Sequence, residues 1–271
     1  YKCQIKMQNH LNNLLLDLCN ISIEAGHKIM EFYDQEIEVT IKKDSSPLTK
    51  ADIAANTLIN KKLSSIDKNI PILSEESLVD WEIRKTWKKY WLVDPLDGTK
   101  EFINKNGEFT VNIALIENNI PVVGIIYAPA KCLLYYAKKD NGSFKIKTFE
   151  KLNNLNQAKN IKVKKHLEDD EVCIIGSRSH SNDKINKWIS NNFDNFTLIS
   201  SGSSLKFCNI AEGKADIYPR FGPTSEWDIA AGHIILNEAG GKILTLENRE
   251  INYNEKESVL NPEFIASNDV F

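Results

Sequence analysis

Apolar side chains recur at three- and four-residue intervals at Leu11, Leu14, Leu15, Leu18, Ile21, Ala25, Ile29 and Phe32, which predicts a long amphipathic helix near the start of the chain. A second stripe of the same period, Ala51, Ala54, Ala55, Leu58, Ile59, Leu63 and Ile66, predicts another helix. Between them Asp44, Ser45, Ser46 and Pro47 favour a turn. From residue 70 the period changes, and short β-prone runs at 70–73, 90–93, 109–116, 121–127 and 132–137 predict strands. Asn118-Asn119 and Lys139-Asp140-Asn141-Gly142 punctuate these runs as hairpin turns. Neighbouring strands therefore run antiparallel in large part, and the pattern predicts an α+β fold, not a β-α-β series. The second half offers strands at 172–175 and 196–199 and helices at 184–189 and 204–212. A last helix over 225–239 buries Trp227, Ala230, Ala231, Ile234 and Ile235 and stops at Gly240-Gly241. His233 falls inside it, where a satisfied core histidine is expected. The stretch 150–170, rich in Lys, Asn, Asp and Glu, reads as a polar connection and divides the chain into 1–158 and 159–271.

Composition changes the picture mainly by exclusion. A chain of 271 residues can bury roughly three quarters of its unfolded surface, enough for one large domain or two packed ones. With 34 basic and 37 acidic residues, a net charge of −3, it has no global basic field to gather nucleic acid or anionic lipid. An anionic ligand must be held locally. The five cysteines are widely spaced and unpaired by any C-x-x-C motif, so reduced, buried thiols are expected. No apolar run approaches the ~20 residues of a membrane span. Tyr1-Lys2-Cys3 opens no signal-like segment, so a cytoplasmic protein is expected.

The chemistry concentrates at Asp94-Pro95-Leu96-Asp97-Gly98-Thr99, where an apolar strand runs into two aspartates separated by a proline-constrained turn. Hard cations such as Mg²⁺ take oxygen ligands, and two carboxylates, the Leu96 carbonyl and a hydroxyl suit them. A capped turn with Asp97 opening a helix fits the same letters. Glu75-Glu76 after the strand at 70–73, Asp52 and Asp228 add further carboxylates at strand ends and helix starts. Each has its own structural explanation, Asp228 as a capping-box partner of Ser225 and Asp52 through the helix dipole. Together they read as carboxylates converging on one sheet edge, the way a polynuclear metal site is built.

The segments T-K-A-D at 49–52, S-E-E at 74–76, D-P-L-D-G-T at 94–99 and W-D at 227–228 resemble the lithium-sensitive, Mg²⁺-dependent phosphatase superfamily that includes inositol monophosphatase and fructose 1,6-bisphosphatase. Within it, D-G-T-K-E-F-I at 97–103, N-G-E-F-T-V-N-I-A-L at 106–115, S-R-S-H at 177–180, G-S-S-L-K-F-C at 202–208 and Y-P-R-F-G-P-T at 218–224 are similar to the bacterial 3′(2′),5′-bisphosphate nucleotidase branch. The resemblance implies a layered α-β-α-β-α fold with mixed, largely antiparallel sheets. It implies two Mg²⁺ ions held by Glu75, Asp94, the Leu96 carbonyl, Asp97 and Asp228, with Asp52 as proton acceptor around a third, and inhibition by Li⁺. Thr99, Asp52 and Glu75 would carry the catalysis. Gly98, Ser177, His180, Gly202, Ser203, Lys206 and Arg220 would join the metal-site residues in contacting the substrate, adenosine 3′,5′-bisphosphate (PAP) or its phosphosulfate form (PAPS). Lys206 is expected in the first turn of a helix whose free N–H groups add to its positive charge. The branch further implies a monomer or weak homodimer in the cytoplasm or against the inner membrane. Lys100-Glu101 weighs against the alternative of an inositol phosphate or sugar bisphosphate phosphatase. A non-catalytic PAP sensor is the other alternative.

Overall fold

A computed structural model describes residues 2–35, 39–41, 47–166, 170–177 and 183–270, with the side chains of the first helix described from Asn13 onward. The opening stripe forms α1 (Lys2–Tyr33), followed by a small hairpin of β1 (Val39–Ile41) and β2 (Pro47–Thr49), with the expected turn at Asp44, Ser45 and Ser46 outside the described residues. The second stripe forms α2 (Lys50–Ile66), opened by a Thr49 cap. Then come β3 (Ile72–Ser74), α3 (Trp81–Arg84), β4 (Lys89–Asp97), α4 (Thr99–Ile103), β5 (Thr110–Glu117), β6 (Ile120–Ala128), β7 (Leu133–Lys138), β8 (Ser143–Lys147) and β9 (Lys159–Ile161). Strands β3 to β9 form one seven-stranded sheet in sequence order, antiparallel throughout except for the parallel β3–β4 pair. Asn118 and Asn119, both at positive φ, make the β5–β6 turn that the sequence signals.

The remaining elements are β10 (Val172–Ser177), α5 (Asp183–Asn192), β11 (Phe196–Ser201), α6 (Leu205–Ala211), β12 (Ile217–Arg220), α7 (Glu226–Glu238), β13 (Lys242–Thr245) and β14 (Phe264–Ser267). Five of them form a second sheet in the order β11-β10-β12-β14-β13, parallel on the β11 side and antiparallel on the β13 side.

Alternation along β4 explains the layering, because successive strand side chains face opposite ways. Trp91 and Val93 pack with Leu18, Ala25, Ala55 and Ile59 of α1 and α2, whereas Tyr90 and Leu92 pack with Phe207 of α6 and Ile234 of α7. The other side of α6 and α7 meets Tyr218, Ile243 and Phe264 of the second sheet. Its outer face, Val172, Ile174 and Ile217, is covered by Ile189 of α5. The chain is thus an α-β-α-β-α stack with mixed, largely antiparallel sheets. A strand buried on both faces reads as a continuous apolar run, which is why 90–93 stood out in the sequence.

One element departs from expectation. The strand predicted over 90–93 runs on through Pro95 to Asp97, and the proline lies within it, not in a turn. Asp94 pairs with Asn112 and Asp97 with Thr110, so two residues on β4 oppose one on β5. A β-bulge tolerates proline because the ladder is already interrupted there.

Candidate active site

The bulge decides which way the two aspartates point. Three residues apart in a regular strand, they would face opposite sides of the sheet; the extra residue brings both to one side. Beyond it the chain turns through Gly98 at φ 89°, where a Cβ would sit 3.2 Å from Cβ of Ser203 and 3.3 Å from the Glu108 carbonyl oxygen. Gly98, not Asp97, occupies the cap position of α4, so the Asp97 carboxylate is free of the capping role its sequence context allowed.

Asp228 enters from the first turn of α7, where its Oδ2 accepts the Ser225 N–H at 2.8 Å. Asp94, Asp97 and Asp228 each place an oxygen within 4.8 Å of the others. Glu75, just past β3, is fixed by its own N–H donating to the Val93 carbonyl at 3.1 Å, and its carboxyl is hydrogen-bonded to Asp94. Burial, and after it the charges of Glu75, Asp97 and Asp228, push the Asp94 carboxyl well above the usual carboxylate range. Burial followed by Asp97 raises Asp228 to about 8. Crowded, buried carboxylates resist ionising together unless a cation joins them. The donor set is all oxygen, which suits a hard divalent ion.

Asp52 stands behind this cluster. Its Oδ2 accepts the Thr49 N–H at 2.7 Å and the Thr49 hydroxyl at 2.5 Å, closing the cap of α2. Its Oδ1 accepts the Thr99 hydroxyl at 3.2 Å, and the same hydroxyl lies 3.4 Å from the Leu96 carbonyl. One aspartate therefore serves both as helix cap and as partner of Thr99.

A cavity of about 290 Å³ opens over these groups, lined by Glu75, Asp94, Leu96, Asp97, Gly98, Thr99 and Asp228 from one set of segments and by Ser177, Ser203, Lys206 and Arg220 from the other. Lys206 is buried, with its Nζ donating to the Ser203 carbonyl at 2.7 Å and lying 5.2 Å from the Tyr218 ring centre. Burial draws its ammonium down to about 8, against the opposing pull of Asp97. Arg220 donates to the Pro223 carbonyl at 2.7 Å. The loop before α6 differs from expectation: the Ser204 N–H is engaged by Asp97 Oδ2 at 2.6 Å, so that donor faces the acidic cluster. Gly202 lies behind the lining, its N–H on Glu108 Oε2 at 2.8 Å. His180 falls outside the described residues. Sequence reasoning assigned no role to Thr110 and Asn112, which touch Asp97 from β5. Their even spacing on a strand opposite the bulge was the available signal. His233 is buried and paired with the Tyr253 hydroxyl at 2.9 Å, away from the cavity lining, as a core histidine should be.

Residues 11–269 match the model of the Inositol monophosphatase family. A Salmonella typhimurium protein named 3′(2′),5′-bisphosphate nucleotidase CysQ is 45% identical over 256 residues, covering 93% of this chain and 98% of that one. A Buchnera aphidicola protein of the same name is 44% identical over 272 residues, covering 97% and 98%. The crystal structure of CysQ from Bacteroides thetaiotaomicron, described as a bacterial member of the inositol monophosphatase family, superposes with a TM-score of 0.84 at 39% identity, covering 95% of this chain and 97% of that one. With the acidic cluster at one edge of the layered fold and these matches along nearly its whole length, the chain belongs to the inositol monophosphatase family.

Proposed function

We propose that this chain is a Mg²⁺-dependent phosphomonoesterase that converts PAP to AMP and phosphate, and PAPS to adenosine 5′-phosphosulfate. The observation that carries this reading is the 45% identity, over 98% of its length, to a relative named 3′(2′),5′-bisphosphate nucleotidase. The convergence of Asp94, Asp97 and Asp228 supports it independently, since their oxygens are close and burial with neighbouring carboxylates raises Asp94 and Asp228. Glu75, Asp94, the Leu96 carbonyl, Asp97 and Asp228 would hold two Mg²⁺ ions, with Asp52 beside a third. Bound there, the ions would neutralise the phosphate dianion and acidify a water.

The residues of the chain do the rest. The Thr99 hydroxyl donates to Asp52 Oδ1 and keeps its lone pairs for the attacking water. As the water attacks phosphorus and the P–O3′ bond breaks, the water proton passes to the Thr99 oxygen while the Thr99 proton passes to Asp52, and the departing 3′-oxygen takes a proton from solvent water. Lys206 and Arg220, with Ser177 and His180, are assigned to the nucleoside and its 5′-phosphate, where a buried lysine beside a guanidinium favours an anion. The two halves of the chain, 1–158 and 159–271, divide the work accordingly: the first supplies all the metal ligands except Asp228, the second the nucleotide contacts. The enzyme works in the cytoplasm as a monomer or weak dimer. Among the described residues no helix is long and apolar enough to cross a membrane.

Phosphate release from PAP, inositol 1-phosphate and fructose 1,6-bisphosphate at equal concentration, with Mg²⁺, with Mg²⁺ plus Li⁺, and with EDTA, tests this. The expected result is turnover of PAP far above the others, lost in EDTA and suppressed by Li⁺. Preference for inositol 1-phosphate or the sugar bisphosphate would keep the metal centre and overturn the nucleotide assignment. Binding of PAP without release from any of the three would make the protein a sensor.

A further inference from the structure

The segment N-G-E-F-T-V-N-I-A-L at 106–115 carries three polar residues at even spacing, Glu108, Thr110 and Asn112, that the mechanism above leaves unused. Alternate residues of an extended chain share a face. On that face each of the three meets the loop at 202–204 in turn. Glu108 Oε2 accepts the Gly202 N–H at 2.8 Å, the Thr110 hydroxyl lies 2.6 Å from that of Ser203 and 2.8 Å from that of Ser204, and Asn112 Oδ1 accepts the Ser204 hydroxyl at 2.8 Å. The fit leaves no room for a side chain at Gly202, where a Cβ would stand 2.6 Å from the Glu108 carbonyl oxygen.

The loop and the strand converge on a single atom. Asp97 Oδ2 lies 2.6 Å from the Ser204 N, 2.9 Å from the Ser203 hydroxyl, 3.2 Å from Asn112 Nδ2 and 3.5 Å from the Thr110 hydroxyl. A hydroxyl has one proton to give. The Asp97 carboxylate is the strongest acceptor in reach of Ser203, so the Ser203 proton goes to it, and the 2.6 Å contact between Ser203 and Thr110 is then made by the Thr110 proton. Three donors thus hold Oδ2, and Oδ1 accepts no hydrogen bond among the described residues. A carboxylate clamped by one oxygen presents the other at a fixed place and angle, the office that outer hydrogen bonds perform for metal ligands.

Two of the three donors come from the loop that also supplies Lys206, whose Nζ is held by the Ser203 carbonyl at 2.7 Å. Resting on the assignment of Asp97 to Mg²⁺ and Lys206 to the nucleotide, we propose that Glu108, Thr110 and Asn112 are positioning residues. They lock the 202–204 loop to Asp97, so that occupancy of the nucleotide side and affinity for Mg²⁺ rise together. Such coupling is reciprocal by necessity: whatever AMP adds to Mg²⁺ binding, Mg²⁺ adds to AMP binding.

The test is calorimetric titration of Mg²⁺ into the metal-free protein, alone and with saturating AMP, which carries the 5′-phosphate but no scissile 3′-phosphate. In the unchanged protein AMP is expected to tighten Mg²⁺ binding. Thr110→Val keeps the shape and removes the hydroxyl; it should weaken Mg²⁺ binding by about tenfold or more and erase the AMP effect, with Thr110→Ser restoring both. Ser203→Ala, at the half-buried position of the loop, repeats the test should the valine disturb folding. Unaltered Mg²⁺ affinity in both variants, or AMP binding that leaves Mg²⁺ affinity unmoved in the unchanged protein, overturns the coupling while leaving the metal centre intact. Failure of the unchanged protein to bind Mg²⁺ at all overturns the metal assignment, and the coupling with it.

Discussion

Thr99 and Asp52 show how one side chain can serve the fold and the chemistry with different atoms. Asp52 closes the α2 cap through Oδ2 and meets Thr99 through Oδ1. Replacing Thr99 by valine removes the hydroxyl that passes the proton while the cap remains. The expected result is a fall in kcat of about 10²- to 10⁴-fold, the usual weight of proton transfer, with Mg²⁺ still binding the carboxylates. Steady-state kinetics beside calorimetry measures both, and a wild-type kcat in Thr99→Val would end the relay. The same double use limits what the sequence discloses. Thr49 with Asp52, and Ser225 with Asp228, satisfy the spacing of a helix cap, so the letters alone cannot separate a cap from a site residue. Thr110 was less legible still, because its partner Ser203 lies 93 positions away.

At the scale of elements, α7 carries Asp228 at its start and is gripped along its length. Its approach to β6 is set by Gly124, where an added Cβ would stand 2.6 Å from the Ala231 carbonyl oxygen and press on Ile234. At its far end Glu238 accepts the N–H groups of Asp140, Asn141 and Gly142 at 2.9, 3.1 and 2.7 Å, tying the β7–β8 turn to the helix. Gly124→Ala should therefore push the helix off the sheet and destabilise the protein by about 1 to 3 kcal/mol, the usual scale of overpacking. Urea denaturation reads this directly, and an unchanged midpoint would show that the helix has slack there. The sequence announced α7 clearly through its apolar stripe and its Gly240-Gly241 stop. It said little of β12, β13 and β14, each four residues long. Strands this short carry too few residues to show a period, and their pairing partners are remote in sequence. The proline in β4 pointed to a turn because local letters cannot show the neighbouring strand that makes a bulge.

Across the whole molecule the acidic cluster sets the balance between stability and function. Asp94 and Asp228 have carboxyls raised by burial and by neighbouring carboxylates, Asp228 to about 8. The stability that Asp228 allows is complete below the ordinary value of 3.8 and is lost as pH rises through about 8, and Asp94 acts in the same sense. His233 works in the other sense: burial lowers it from 6.5 to about 4, so its contribution is whole above 6.5 and is lost as pH falls through about 4. The metal-free protein should melt at a lower temperature at about pH 8.5 than at about pH 6.5, and Mg²⁺ should raise the melting temperature more at the higher pH, where fewer protons compete for its ligands. Differential scanning calorimetry in EDTA and in Mg²⁺ checks both halves. A flat profile in EDTA would mean that the carboxylates do not repel one another as their spacing requires.

The bulge in β4 also makes the site sensitive to a kind of change that conservative substitution never produces. It inverts the parity of the strand: inward and outward positions exchange roles once the chain has passed Pro95. Adding a single residue to the facing stretch of β5, between Thr110 and Asn112, would restore one-to-one pairing and aim Asp97 at the opposite face, among the apolar side chains under α1 and α2. The acidic centre of this chain thus depends on a count as well as on identities, and length across this pair of strands is as much a determinant of the site as any carboxylate within it.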